Sequence, residues 1–256
     1  MSPSETPEAI RAENLVKTFG SVTALAGVSM RVARGETLGI LGDNGAGKST
    51  LIKILTGYHQ PDSGQVYVDG KPVRLSSVDE ARALGIECVY QDLALVNGLS
   101  IYHNMFLNRE PLWGGPLRLL DHRTMRRRAA AALEEIGVQV PSVEVEVGQL
   151  SGGQRQAIAV ARAVTSNARI LLLDEPLAAM GAREARLIID LIDRLRARGD
   201  IAIVMIAHNY AQTLEICDRV MLIQHGEVTF ESRTATTSAE ELLEIVRREY
   251  RAARAG

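Results

Sequence analysis

The chain has no working excess of charge. Its 29 lysines and arginines stand against 31 aspartates and glutamates, leaving a net charge of −2. Such a balance gives no general attraction to nucleic acid or to anionic lipid. Cysteine is almost absent: the only two, Cys88 and Cys217, lie far apart in apolar surroundings. They make neither a metal site nor a disulfide framework, and read as buried free thiols in a reducing compartment. Long apolar runs are missing as well. The longest, Ile201 to Ala207, suits a buried strand and falls far short of the roughly 18 to 20 residues that span a bilayer. The first dozen residues have neither a basic start nor an apolar segment, so they do not read as a signal peptide. A chain that is soluble by itself is expected, with any membrane role reached through a partner. What remains is ordinary: 46% hydrophobic and 23% charged residues over a length of 256. That length holds one large α/β domain, or a core with a smaller subdomain.

One stretch organises the rest. Gly42-Asp43-Asn44-Gly45-Ala46-Gly47-Lys48-Ser49-Thr50 fits the pattern G-x-x-x-x-G-K-[ST]. Before it, Glu36 to Leu41 reads as a buried strand. After it, Thr50 to Gly57 carries Leu51, Ile54 and Leu55 at helical spacing and stops at a glycine. Strand, glycine loop and helix turn a row of backbone N–H groups toward one point, where the helix dipole adds positive potential. Gly45 and Gly47 take backbone angles closed to other residues and keep Cβ atoms away from a phosphate. Lys48 would place its ammonium on the β and γ phosphates, and the Ser49 hydroxyl would be a Mg²⁺ ligand. This is a nucleoside triphosphate site. The loop alone does not say which chemistry uses it.

Along the chain, residues 1–12 read as a flexible leader. Two short strand-like pieces are expected between Glu13 and Val32, around the turn at Lys17-Thr18-Phe19-Gly20. Phe19 at that strand end offers either a flat face for a purine or a core residue for a small sheet. His59 to Gly64 is a turn, Gln65 to Gly70 a strand entering a hairpin, Ser77 to Leu84 a helix, and Ile86 to Tyr90 a strand ending at Gln91. Residues from about 92 to 165 are mainly helical in pattern. Within them Asp121 caps a helix carrying Arg123, Arg126, Arg127 and Arg128, either a solvated face or a contact for an acidic partner. Ser151 is an N-cap ahead of Arg155 to Val164. Arg169 to Leu173 and Ile201 to Ala207 are buried strands, with an amphipathic helix at Glu184 to Arg198 between them. Asp218 to Gln224 and Glu227 to Phe230 are strands, and a surface helix begins at Ser238. One P-loop and one Leu150-Ser151-Gly152-Gly153-Gln154 string are present, so the chain is not a tandem duplication.

Several polar residues stand at strand ends, the edge where open α/β sheets bind ligands. Asp174-Glu175 closes a strand of the type expected beside the P-loop strand. There Asp174 would hold Mg²⁺ through water and Glu175 would orient or deprotonate a water attacking the γ phosphate. Gln91 and His208 also end apolar strands, and neither persuades by itself.

The order persuades. Phe19, the P-loop, Gln91, Leu150 to Gln154, Asp174-Glu175 and His208 follow one another as in ABC-type ATPases, which the chain resembles over about residues 13 to 230. The resemblance implies an α/β fold: a RecA-like P-loop core with an antiparallel β subdomain and a helical signature subdomain over about 92–165. The ATPase domain would run over 13–237, followed by a C-terminal surface helix at 238–256. It also implies roles. Phe19 would stack on adenine, and Gln91 would contact Mg²⁺ or water while sensing a transmembrane partner. His208 would contact the γ phosphate as a catalytic group beside Glu175. Ser151, Gly152, Gly153 and Gln154 would complete the ATP site of the opposite protomer. The helix end fits this, being an anion site with no substrate of its own in one chain.

Gly85-Ile86 to Ala94, Asn104 to Glu110 and Pro176 to Glu184 are similar to ATPases of bacterial monosaccharide importers of the ribose, xylose or fructose type. The implied partners are a second copy or another ATPase subunit, two transmembrane permease subunits and, indirectly, a sugar-binding protein, without nucleic acid. The implied cofactors are ATP and Mg²⁺, and the place is the cytoplasmic face of the bacterial inner membrane. Two departures stand out: Leu177 replaces a usual threonine, and Ala178-Ala179-Met180-Gly181 lacks the aspartate of the wider family. A soluble ABC ATPase of translation or DNA repair is the rival reading. Its marks, tandem halves, a coiled-coil insertion or a strongly basic face, are not visible. A P-loop small-molecule kinase would leave the Leu150 to Gln154 string unexplained.

Overall fold

A computed structural model describes residues 7–114, 119–178 and 180–255. Two sheets carry the architecture. The first is antiparallel, with β1 (Glu8–Phe19), β2 (Val22–Ala33), β4 (Ser63–Val68) and β5 (Lys71–Val73) in the order β2-β1-β4-β5. The second is six-stranded, in the order β10-β9-β3-β8-β7-β6. Its members are β3 (Thr37–Leu41), β6 (Ile86–Val89), β7 (Ile170–Asp174), β8 (Ala202–Ile206), β9 (Arg219–Gln224) and β10 (Glu227–Arg233). All run parallel except β10, which pairs antiparallel with β9 at the edge.

The helices are α1 (Lys48–Leu55), α2 (Val78–Ala83), α3 (Ile101–Phe106), α4 (His122–Glu135), α5 (Gly152–Thr165), α6 (Ala182–Arg198), α7 (Tyr210–Ile216) and α8 (Ala239–Ala255). They divide by the face of the parallel sheet that they cover. Because side chains alternate along a strand, Leu38, Ile40, Ile170, Leu172, Val204 and Ile206 point to one side. There they pack with α1 and the inner face of the antiparallel sheet. Leu171, Leu173, Ile203 and Met205 point to the other side and pack with α3, α4, α5 and α6. Strands buried on both faces read as continuous apolar runs, which is why β7 and β8 were plain in the sequence.

Three expectations need correcting. β1 begins at Glu8, inside the stretch expected as leader; Ala9, Ile10 and Ala12 are buried there, and two of the three are alanines, too small to signal a strand. Residues 1–6 of that leader lie outside the described residues. The two short pieces expected between Glu13 and Val32 are two strands of 12 residues each, joined by a tight hairpin at Gly20. The strand ending in Asp174-Glu175 is not beside the P-loop strand either: β8 lies between β7 and β3. The stretch 92–165 holds α3, α4 and α5 with irregular segments between them. Arg126 of the basic cluster pairs with Glu144 at 2.6 Å and lies over the Tyr102 ring, while Arg123, Arg127 and Arg128 are exposed. The expected C-terminal helix forms, and it is anchored: Leu242 and Val246 are buried with Leu41, Val220 and Leu222. Cys88 and Cys217 are free thiols, both raised well above the usual thiol range by burial.

Candidate functional site

The glycine loop leaves β3 at Gly42 and enters α1 at Lys48. Gly42 has φ +146°, and a Cβ there would lie 2.1 Å from the Ile223 carbonyl oxygen. Gly47, the N-cap of α1, has φ +107°, and its Cβ would lie 2.4 Å from the Ala24 carbonyl oxygen. No other residue fits either place. At Gly47 the crowding neighbour is therefore the protein's own β2, whereas Gly45 opens onto free space. No side chain caps α1, so its first N–H groups keep no acceptor from that source and the positive end of the helix stays open. Asp43, Asn44 and Gly45 are exposed, Ala46 is buried, and its N–H donates to the Asp43 carbonyl at 3.1 Å.

Lys48 is only 5% exposed. Its ammonium donates to the carbonyls of Gly42 at 2.7 Å and Asp43 at 2.8 Å, which folds the loop around the charge. Burial lowers its pKa, and the nearby carboxylates of Glu175, Asp43 and Asp174 oppose that shift. Asp174, half-buried at the end of β7, is raised by burial and by Glu175, with Lys48 pulling the other way. Lysine and carboxylates thus meet at one end of the sheet. Ser49 is exposed and Thr50 half-buried in the first turn of α1.

Glu175 leaves β7 in a left-handed conformation, φ +52°, a cost of order 1–2 kcal/mol for a residue with a Cβ. Its N–H donates to the Ile206 carbonyl at 3.1 Å, and its own carbonyl accepts from Ala178 at 3.1 Å across the turn begun by Pro176. These contacts aim its side chain at His208, just past β8: Nε2 of His208 lies 2.5 Å from Oε1 of Glu175. Gln91 follows β6 and is exposed. Since β3, β8, β7 and β6 are parallel neighbours, Gly42, His208, Glu175 and Gln91 all stand at the same edge.

Phe19 ends β1 at the hairpin. It is 44% exposed, so it is not a core residue of the small sheet. His59 meets it edge-on at 5.2 Å between ring centroids, and the Lys17 ammonium lies 5.5 Å from its ring centre. What holds it is a partner distant in sequence. Asp62 accepts from Lys17 at 2.7 Å, from the Thr18 N–H at 2.7 Å and from the Thr18 hydroxyl at 2.8 Å. Ser151 to Gln154 stand apart from this group. Ser151 Oγ accepts from the Gln154 N–H at 3.3 Å, and Gln154 Oε1 accepts from the Ser151 N–H at 3.1 Å, a capping box. The Gly153 N–H of this turn donates to Glu184, not to the glycine loop. Arg162 was also unforeseen. From α5 it donates to the carbonyls of Leu93 and Ala94, both at 2.8 Å, and so ties down the segment that follows Gln91. Partners 68 or 69 residues apart leave no local signal. Leu177 and Met180 pack against the helical core, and Ala179 lies outside the described residues.

A family model described as ABC transporter matches residues 25–178. The chain belongs to the ABC transporter family. Within the family, it is 44% identical over 230 residues to the xylose/arabinose import ATP-binding protein XylG of Sulfolobus acidocaldarius, a match covering 90% of both chains. It is 43% identical to the fructose import ATP-binding protein FrcA of Rhizobium meliloti, covering 85% of both. The ribose import ATP-binding protein RbsA of Chromobacterium violaceum is 38% identical, matched over 93% of this chain and 46% of its own length. Among solved structures, the ADP conformation of an ABC transporter's ATP-binding cassette superposes with a TM-score of 0.79 at 29% identity, covering 92% of this chain and 93% of that one. A dimeric cassette in a post-hydrolysis state bound to ADP and Pi gives a TM-score of 0.72 at 26% identity, over 88% and 98%. The ABC ATPase fold expected from the motifs is the fold observed.

Proposed function

We propose that the chain is the ATP-hydrolysing, energy-coupling subunit of an importer for a monosaccharide. One observation carries the reading. The buried ammonium of Lys48, Asp174 and the Glu175–His208 pair share one sheet edge, while among the described residues the capped turn at Ser151 to Gln154 bonds to Glu184 and to none of these groups. A phosphate site and an anion-binding helix end that do not meet in one chain are two halves of a site closed by a second copy. The relatives named for xylose/arabinose, fructose and ribose import support the substrate class.

In this reading, Phe19 stacks on the adenine and the amides of residues 42–50 cradle the phosphates with Lys48. The donors suited to a metal are the exposed Ser49 hydroxyl, the Asp174 carboxylate and Gln91, all hard oxygens of the kind Mg²⁺ takes alongside substrate phosphates. Among the described residues no group of three or more His, Cys, Asp or Glu could hold a metal alone. Bound there, Mg²⁺ would neutralise charge developing on the phosphates. Glu175 is the base for the attacking water, and His208 holds its carboxylate in place. Among the described residues no helix is long and apolar enough to cross a membrane. By its likeness to the named import subunits, the subunit works beneath two permease subunits at the cytoplasmic face of the bacterial inner membrane, and a sugar-binding protein delivers the cargo from the other side. ATP closes a homodimer and hydrolysis reopens it.

The test is Glu175→Gln. ATP binding is expected to stay within about twofold of the parent, hydrolysis to fall at least 100-fold, and an ATP-dependent dimer to accumulate in sedimentation. Hydrolysis at the parental rate would overturn the assignment of the base. Reconstitution with a candidate permease pair, and uptake of labelled xylose, fructose or ribose, tests the substrate class.

A further inference from the structure

The turn that should receive a phosphate from a second copy already holds an anion. The Gly153 N–H donates to Oε1 of Glu184 at 3.3 Å. A Cβ on Gly152 would lie 3.7 Å from Oε1 and 3.9 Å from Oε2 of the same carboxylate, so it covers both glycines. The approach is close in the backbone too. A Cβ on Gly153 would come within 2.9 Å of the Glu184 Cβ and 3.2 Å of its Cα, so the second glycine of the string has a packing reason that needs no ligand. The N–H groups of Ser151 and Gln154 are used by the capping box. That leaves Gly152, among the described residues, as the amide of this turn open to an outside acceptor.

Glu184 also occupies the first turn of α6, whose positive end favours its charge. It therefore bridges two helix N-termini, its own and that of α5. A terminal phosphate arriving at α5 finds the Gly152 N–H open, gains the Gly153 N–H only by sharing it with Glu184 or displacing that carboxylate, and meets a like charge as it does so. Glutamate stands here nine residues after Glu175, so the strand exit that serves one nucleotide leads directly into the helix that touches the other's half-site.

We infer that Glu184 sets how strongly the Ser151 to Gln154 turn draws the phosphate of a second copy's nucleotide, by occupying the turn with its own carboxylate until that phosphate displaces it. This rests on the reading of the turn as a half-site. Glu184→Gln keeps the shape and the acceptor and removes the charge, whereas Glu184→Ala removes both.

Two measurements separate the possibilities. In the first, ¹⁵N-labelled chain is titrated with inorganic tripolyphosphate and the amide signals of Gly152 and Gly153 are followed, with Gly45 as internal reference for the glycine loop. Glu184→Gln is expected to tighten the response at Gly152 and Gly153 about tenfold and leave that of Gly45 unchanged. An unchanged or weaker response at the two glycines overturns the inference, whatever the oligomeric state. In the second, the same substitution is added to Glu175→Gln and dimerisation in ATP is measured by sedimentation, with the midpoint expected at about tenfold lower protein concentration. Glu184→Gln behaving as parent while Glu184→Ala weakens both readouts would mark a purely structural glutamate and also overturn the inference. A tightened amide response with no dimer in either background would instead refute self-association and leave the role of Glu184 standing, toward a different ATPase subunit.

Discussion

At the scale of single residues, the site is held by groups that touch no substrate. Asp62 is the clearest case. Hydrogen bonds from Lys17 and Thr18 hold its carboxyl at about 2, below the ordinary 3.8, and through them it fixes the end of β1 where Phe19 stands. Replacing it with alanine is expected to weaken ATP binding about three- to tenfold with kcat unchanged, because Phe19 loses a hydrogen-bonded anchor. Equilibrium binding of a fluorescent ATP analogue beside steady-state kinetics checks the split; a fall in kcat at unchanged affinity would contradict it. Because the folded-state value lies below the unfolded one, the stability from this contact is complete above pH 3.8 and is lost as the pH falls through about 2. Asp174 has the opposite sign. Burial and Glu175 raise it, so its charge at neutral pH opposes folding and that cost disappears as the pH falls below its raised value. Asp174→Asn is therefore expected to raise the melting temperature of the nucleotide-free chain at pH 7. The gain shrinks in acid, and the additional stabilisation by ATP with Mg²⁺ is lost.

At the scale of elements, legibility followed the range of the forces. β3, β7 and β8 were readable because strands covered on both faces are unbroken apolar runs, and α5 because its capping box lies within four consecutive residues. The start of β1 was not, since two of its three buried residues up to position 12 are alanines. The place of β8 was not either, because strand order depends on pairing between segments far apart in the chain. The same holds for Asp62, Arg162 and Glu184, each of which acts on a partner at least 31 residues away. Two substitutions probe the elements that frame the loop. Gly47→Ala forces a side chain into φ +107° against the Ala24 carbonyl. Strain of about 1–3 kcal/mol and the clash should lower the melting temperature and abolish nucleotide binding, read by calorimetry and titration. Leu242→Ala in α8 empties a fully buried position beside Leu41, the residue before the loop. It is expected to cost about 2–5 kcal/mol in urea unfolding while ATP affinity at saturating folded fraction stays near parental.

At the scale of the whole molecule, the parallel sheet separates two cores. One lies under the antiparallel sheet and α1, the other under the helices that carry the Ser151 turn. Each half of the proposed site belongs to a different core, so a change of state at one reaches the other only through the strands between them or through α6. The intervening strand β8 has a consequence of its own. Neighbouring strands stand about 4.8 Å apart, and β3 and β7 are separated by β8. Gly42 and Glu175, at the ends of those two strands, are therefore about two strand spacings, roughly 10 Å, apart, with His208 just past the end of the strand between them. Had β7 lain directly against β3, the gap would be a single strand spacing; at two spacings it leaves room, on the proposed reading, for a phosphoryl group and its attacking water. Strand order, invisible in any single motif, thus sets how far the glycine loop stands from the Glu175–His208 pair.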